Sequence, residues 1–127
     1  MEPEEIRHAR NQNLTALIVI GILIALVLAL GVHQHITHRF TTEKWLAAPE
    51  ERGRLVDDLL EKHPLMGMDM DEVFALLGEE TSVPHENGKN FFYYYLGPER
   101  GLISIDSEWL VLTVEKNLVT AIDFATD

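Results

Sequence analysis

Three histidines lie close together and are the first residues that could do chemistry. His33, His35 and His38 fall within one stretch of six residues, and neutral imidazole is a common ligand of transition metals. A structural zinc site needs four ligands, and the chain has no cysteine to complete such a set. In a helix, only His35 and His38 would share a face. The spacing therefore favours a water-facing segment that gains positive charge in mildly acidic solution.

Two short groups of acidic residues could bind a metal or act as an acid and base pair. Asp69, Asp71 and Glu72 lack the further oxygen ligands and the later bidentate glutamate of a calcium loop. Carboxylates at this position are instead typical of a helix start, where they cap the chain and interact with the helix dipole. Asp57 and Asp58 are neighbours on a predicted helix, where adjacent side chains point in different directions. They are therefore predicted to carry structural charge.

Sets of catalytic groups are not apparent elsewhere in the sequence. No nucleophile accompanied by a base and its orienting group can be recognised, and no nucleotide-binding fingerprint is present. The segment Gly97-Pro98-Glu99-Arg100-Gly101 lies between predicted strands, whereas a phosphate-binding loop opens a helix. We therefore predict a protein that is not an enzyme, with no catalytic, cofactor-binding or metal-binding residues.

The aromatic run at residues 91–95 is the best candidate for a binding surface. Alternation along a strand places Phe91, Tyr93 and Tyr95 on one face, and Phe92 and Tyr94 on the other. One set has to cover the helices and the other is left exposed. Aromatic rings are enriched at protein interfaces, although strands also tolerate them without a binding role. The predicted partner-binding residues are Phe92, Tyr94, Trp109 and Val111.

An apolar run near the start of the chain has the length of a membrane span. Residues 14–32 carry no charge, and their 19 residues would form a helix of roughly 28 Å, close to the hydrocarbon thickness of a bilayer. A cleaved signal peptide is the alternative, because Ala29-Leu30-Gly31 offers a small-x-small site. The run is longer than the usual apolar region of a signal peptide, and three glutamates precede it. We therefore predict a retained signal anchor.

The apolar run divides the chain into four parts. We predict a cytoplasmic or disordered tail over residues 1–13, a transmembrane helix over 14–32, a juxtamembrane connector over 33–44 and a domain over 45–127. Lys and Arg are nearly balanced at the two ends of the helix, so charge does not set its direction. Residues 43–127 contain 18 acidic and seven basic residues. This charge argues against binding to nucleic acid or to anionic lipid.

The pattern of the domain changes from helical to strand-like along the chain. We predict one helix from Pro49 to His63, and a second capped by Asp69 and ended by Gly78. Residues 79–90 are predicted to be a polar connection. Strands follow over 91–96, 109–114 and 118–124, with a brief pairing at 102–105 and a tight turn at 115–117. The predicted fold is α+β, with two helices packed on a three-stranded antiparallel sheet.

Several short motifs give the domain a family resemblance. The motifs, in chain order, are Trp45, Arg52, Asp58-Leu59-Leu60, Leu65-Met66-Gly67-Met68, Glu72-Val73, Leu76-Leu77-Gly78, Tyr95-Leu96-Gly97, Ile105-Asp106 and Trp109-Leu110. With these motifs, the residues from Phe40 to Asp127 resemble the SmpA/OmlA family, the family of the BamE lipoprotein in outer-membrane β-barrel assembly, which shares its shape with β-lactamase-inhibitor-like modules.

The resemblance implies a hairpin-rich sheet under two helices, a non-enzymatic role and a domain outside the cytoplasm. This chain has no cysteine to lipidate and has an apolar helix instead, so the outer-membrane assembly role is not carried over. We predict a single-pass protein of the bacterial cell membrane whose extracytoplasmic domain binds an unidentified envelope protein, without nucleic acid or cofactors. The alternative is a pH- or ligand-responsive inhibitor or sensor at the membrane surface, with the histidine segment as its switch.

Overall fold

The computed structural model describes residues 3–127, which form two compact units. The first unit ends at Thr37 and the second spans His38–Asp127.

The first unit is a single long helix, α1 (Glu4–Thr37), in which no residue is buried. It is long and apolar enough to cross a membrane. The helix begins ten residues before the apolar run, so residues 4–13 are helical where a disordered tail was one of the predictions. It also continues through His33 and His35, so the first part of the predicted connector belongs to the helix.

The second unit begins with short helical segments. They are α2 (Thr42–Ala47), a 3-10 helix (Pro49–Arg54), α3 (Val56–Lys62) and α4 (Met70–Leu77). The sequence did not predict α2, because Thr41 and Thr42 are β-branched. The Thr41 hydroxyl caps this helix by accepting a hydrogen bond from the Lys44 amide at 3.2 Å. The buried Phe40 also shows that the domain starts before residue 45.

The helix predicted from Pro49 to His63 is divided into two segments at Leu55. Gly53 explains the break, because glycine weakens an α-helix and permits close backbone contacts. A side chain at Gly53 would come within 3.3 Å of the Leu96 carbonyl oxygen on the sheet. The 3-10 helix therefore lies directly against a strand.

The sheet has four antiparallel strands in the order β1-β2-β3-β4. Their bounds are β1 Ser82–Pro84, β2 Lys89–Pro98, β3 Ser107–Glu115 and β4 Leu118–Thr126. The α+β class is confirmed, but the prediction of three strands is wrong. The extra strand, β1, was missed because it is short, lies in a polar segment and contains Pro84, which an edge strand tolerates. Residues 102–105 form no strand, so the brief pairing predicted there is also wrong.

Local signals in the sequence correctly located the ends of several elements. The Asp69 carboxylate caps α4 by accepting from the Glu72 amide at 2.9 Å. Gly78 follows the helix with a φ of 86°, a value that glycine adopts easily. Lys116 and Asn117 join β3 to β4 with φ values of 50° and 66°, as expected for a two-residue hairpin turn.

One layer of helices covers one face of the sheet, called here the inner face. The core lies between this layer and the sheet. Helices α2, α3 and α4 contribute six buried side chains to it: Trp45, Val56, Leu59, Met70, Val73 and Leu77. The strands contribute Phe92, Tyr94, Leu96, Leu110, Leu112, Val114 and Val119. Burial of these apolar side chains is the main force that stabilises the domain.

Candidate functional site

The pairing of β2 with β3 divides the predicted binding residues between the two faces of the sheet. Phe92 pairs with Leu112, and Tyr94 pairs with Leu110. Phe92 is 7% exposed and Tyr94 is 1% exposed, both within the core. They were predicted to contact a partner, and this geometry corrects that prediction because the helices already cover them.

The other two predicted residues, Trp109 and Val111, lie on the opposite face. There Trp109 pairs with Tyr95 and Val111 pairs with Tyr93, while Phe91 is two residues before Tyr93 on the same face. We call this surface the aromatic face and define it by these five residues: Phe91, Tyr93, Tyr95, Trp109 and Val111. The four aromatic residues are half-buried, and Val111 is buried beneath its neighbours.

Ring contacts join the residues of the aromatic face into two neighbouring groups. The ring centroids of Tyr95 and Trp109 are 5.1 Å apart, and those of Phe91 and Tyr93 are 6.4 Å apart. His85, which precedes β2, extends the surface, with its ring 4.8 Å from that of Phe91. Within the described part of the chain, no hydrogen bond occupies the hydroxyl groups of Tyr93 and Tyr95. The surface therefore combines apolar rings with polar groups that a partner could bind.

Tyr94 holds the strand so that the other aromatic residues stay on the outside. Its hydroxyl donates a hydrogen bond to the Gly78 carbonyl at 3.0 Å, which joins β2 to the end of α4. Its ring lies 6.3 Å from that of Trp45. Burial raises the pKa of the Tyr94 phenol, so the hydroxyl remains a donor. Since a shift of one residue would exchange the two faces, this contact fixes the position of the aromatic face.

Arg52, in the 3-10 helix, covers the edge of β2 that β1 leaves unpaired. Its Nε donates to the Trp45 carbonyl at 2.8 Å, and its Nη1 donates to the Tyr95 carbonyl at 3.4 Å. The guanidinium also lies over the Trp45 ring, 4.9 Å from the centroid. Burial lowers the pKa of Arg52 from its ordinary value, but arginine remains charged. The residue therefore fixes the backbone that carries the Tyr95 side chain.

A bulge at the end of β2 allows the 3-10 helix to pack closely. The register shifts between Tyr95 and Gly97, and Gly97 has a φ of 106°. A side chain on Gly97 would overlap the backbone of Glu50. Glycine is therefore required at this position both by conformation and by space.

Acidic residues outnumber basic ones around the aromatic face. Asp123 on β4 is opposite Val111 and is exposed. At one end of the face, Lys89 pairs across the strands with Glu115. The whole chain has a net charge of −11. The local and the overall charge therefore both favour a positively charged partner.

Arg100 binds two acidic side chains at the far end of β2. Its Nε is 2.8 Å and its Nη2 is 2.6 Å from Oε1 of the buried Glu108, and its Nη1 is 3.1 Å from Oδ1 of Asp57. Burial lowers the pKa of Arg100, but the hydrogen bonds to Glu108 and Asp57 outweigh that effect and raise it. The guanidinium also lies 5.1 Å from the centroid of the Phe124 ring. This cluster holds the start of the β2–β3 loop against the domain.

A cleft of about 570 Å³ lies between the 3-10 helix and the β2–β3 loop. Its lining includes Glu50, Glu51, Arg54, Glu99 and Arg100. Ser104 and the apolar Leu96 and Pro98 complete most of the lining, which mixes both signs of charge with apolar groups.

The remaining candidates from the sequence do not converge on a site. His33 and His35 are exposed on α1, and His38 follows its end. Across residues 3–127, no three His, Cys, Asp or Glu side chains are arranged to hold a metal. Asp58 accepts hydrogen bonds from Lys62 at 2.8 Å and from the Phe40 amide at 2.6 Å. Its role is therefore structural, as predicted.

Comparison of the chain with protein-family models, with curated proteins and with solved structures finds no match. The resemblance to the SmpA/OmlA family therefore stays a prediction.

Proposed function

We propose that this chain is a single-pass membrane protein whose C-terminal domain binds a partner protein through the aromatic face. Helix α1 is the anchor, and residues 38–127 form the binding module on the extracytoplasmic side of the cell membrane. The observation that carries this proposal is the set of half-buried rings on two neighbouring strands, on the side of the sheet that the helices of the domain leave uncovered.

The composition of the aromatic face is typical of an interface centre. Tyrosine and tryptophan are the residues most enriched among those that dominate binding energy. Tyr93, Tyr95 and Trp109 are grouped on two neighbouring strands, so one partner surface could contact all three. The β2 backbone that carries Tyr93 and Tyr95 is held by the hydrogen bonds of Tyr94 and Arg52, so little ordering of this strand would be required on binding.

The charge of the domain indicates the kind of partner. Residues 43–127 contain 18 acidic and seven basic residues, so two copies of the domain would repel each other. A protein with Lys or Arg around an apolar centre would be attracted, and its association should weaken as salt rises. The proposed partner is therefore a basic envelope protein. The extracytoplasmic location rests on the resemblance to the SmpA/OmlA family.

Site-specific photocrosslinking in intact cells tests this function. A benzophenone amino acid replaces Tyr93 on the aromatic face in one variant and Ala75, exposed on α4, in the control. We expect a discrete crosslinked species from position 93 that is absent at 75. Tyr95→Ser, introduced into the position-93 variant, should remove that species while the protein level stays the same. Equal crosslinking from both positions would exclude the aromatic face as the binding surface.

A further inference from the structure

The loop between β2 and β3 exposes three large aliphatic side chains. Leu102, Ile103 and Ile105 have relative exposures of 106%, 76% and 84%. Burial would remove a large apolar area from water, yet the domain leaves all three outside its core. Contiguous exposed apolar groups of this kind mark contacts with a protein or a membrane.

The base of this loop is closed, so its tip projects as a unit. The Glu99 amide donates to the Asp106 carbonyl at 2.8 Å, and the Ser104 hydroxyl donates to the Glu99 carbonyl at 2.6 Å. Arg100 adds its ion pairs with Glu108 and Asp57 at the same end. The loop is thus fixed where it leaves the sheet, while the aliphatic side chains of its tip remain exposed to solvent.

We propose that the loop tip, Leu102, Ile103 and Ile105, inserts into the interfacial region of the bilayer that α1 spans. This inference rests on the membrane anchoring in the proposed function. The tip would be a second, reversible membrane contact that holds the domain against the lipid surface and limits how it can turn.

The chain keeps the tip close to a bilayer. Helix α1 ends at Thr37, and Phe40 is already buried in the domain, so only His38 and Arg39 separate the two. A domain of this length is about 30 Å across. The short linker therefore limits the distance between the loop and lipid to about the width of the domain. Once α1 is in the bilayer, insertion of the loop is an intramolecular step, and the effective concentration of lipid around the tip is high. A weak affinity of the tip for lipid is then sufficient for insertion.

The chemistry of the tip favours lipid over a protein surface. Its side chains are purely aliphatic, whereas protein hot spots are rich in Trp, Tyr and Arg. Lipid also requires no matching shape, so a projecting turn can enter it. Glu99 and Asp106 flank the tip, and Arg100 is already paired with carboxylates. The loop therefore suits a zwitterionic surface, and anionic lipid would repel it.

Spin labelling of the full chain in phosphatidylcholine nanodiscs tests the insertion, because nanodiscs leave both sides of the bilayer accessible. The chain has no cysteine, so Gly101→Cys provides a single label beside the tip, where an added Cβ meets no atom within 4 Å. Glu86→Cys, in the exposed turn before β2, provides the control label. The readout is collision of each label with a water-soluble nickel chelate and with oxygen.

We expect nickel accessibility at position 101 to be about threefold or more below that at 86, with higher oxygen accessibility, as for a group at the acyl boundary. Changing Leu102, Ile103 and Ile105 together to Asn should return position 101 to the value at 86. The unfolding temperature should be unchanged, because these residues are exposed. Anionic nanodiscs should weaken the protection.

Four results would overturn the proposal. Equal accessibility at positions 101 and 86 shows no insertion, and protection that persists in the triple Asn variant does not come from the tip. Protection that requires added membrane proteins would assign the tip to a protein partner. Coelution of the chain with the nanodisc is a separate test of anchoring by α1. A chain that does not coelute contradicts the anchoring in the proposed function, and therefore also this proposal.

Discussion

Tyr95 on β2 and Trp109 on β3 lie directly opposite each other, with ring centroids 5.1 Å apart and planes inclined by 58°. Their ring contact joins β2 to β3 across the aromatic face. Its effect on folding can be separated from its effect on binding.

A double-mutant cycle of Tyr95→Ala and Trp109→Ala should give a coupling energy of about 0.5–1.5 kcal/mol, as for other aromatic pairs. The measurement is urea unfolding of the full chain in nonionic micelles, followed by circular dichroism because Trp109→Ala removes one of the two tryptophans. The rings also face outward, so each single variant should lose most of the crosslinking from position 93 while remaining folded. A coupling energy near zero would show that the two rings do not interact in solution.

Two neighbouring tyrosines test the assignment of faces. Tyr94→Phe removes the hydrogen bond to the Gly78 carbonyl and should lower the free energy of unfolding by about 1 kcal/mol. Tyr93→Phe, on the aromatic face, should change it by less than about 0.5 kcal/mol. Binding to the partner should weaken in Tyr93→Phe and stay unchanged in Tyr94→Phe, because of these two hydroxyl groups only that of Tyr93 is available to a partner. Equal effects of the two substitutions on the free energy of unfolding would contradict the assignment of Tyr94 to the inner face and Tyr93 to the aromatic face.

Gly97→Ala should be strongly destabilising. The substitution forces alanine to a φ of 106° and brings its Cβ into the Glu50 backbone, which should cost more than about 2 kcal/mol. Gly101→Ala is the matched control, because the site is open and its φ is ordinary. It should leave the free energy of unfolding within about 1 kcal/mol of the starting value. Thermal unfolding of both variants, measured by circular dichroism, would check this difference.

Asp58 should make folding sensitive to acid. The hydrogen bond from Lys62 and that from the Phe40 amide hold the pKa of this carboxyl below its ordinary value of 3.8. A lowered pKa means that the unfolded chain binds more protons in this range, so the stabilisation is present above pH 3.8 and is lost as the pH falls below it. The free energy of unfolding of Asp58→Asn should therefore fall less steeply in acid. An unchanged acid slope in this variant would contradict the prediction.

The side of the membrane can be tested by labelling. Glu86→Cys gives the chain a single thiol at an exposed turn, and a membrane-impermeant maleimide should label it in intact cells. Labelling that requires lysis would move the domain to the cytoplasm. A cysteine in the 4–13 segment, such as Asn11→Cys, should show the reverse behaviour, because the two segments lie on opposite sides of the apolar run.

Sequence reasoning predicted those parts of the fold that depend on local chemistry. The Asp69 cap, Gly78 and the Lys116-Asn117 turn each depend on a few adjacent residues, and all three are confirmed. The strand β1 was not predicted, because it has only three residues, lies in a polar segment and contains Pro84.

The candidate site was harder to predict, because both faces of β2 are aromatic. Alternation separated the two sets of rings but did not say which one meets the helices. Leu96 carried a usable signal: it shares its phase with Phe92 and Tyr94, and an aliphatic residue there favours the inner face. The matching residues of β3 could not be deduced, because their register depends on the bulge at Gly97.

The contact between the 3-10 helix and the bulge offers a way to recognise distant relatives of this chain. Apolar alternation and helix caps are shared by many unrelated α+β domains. An arginine that closes a strand edge, followed later by a glycine that leaves room for the same turn, is a far more selective combination. Arg52 and Gly97 form such a pair here. Chains that keep both, at a comparable separation, should share this packing even where the rest of their sequence has diverged.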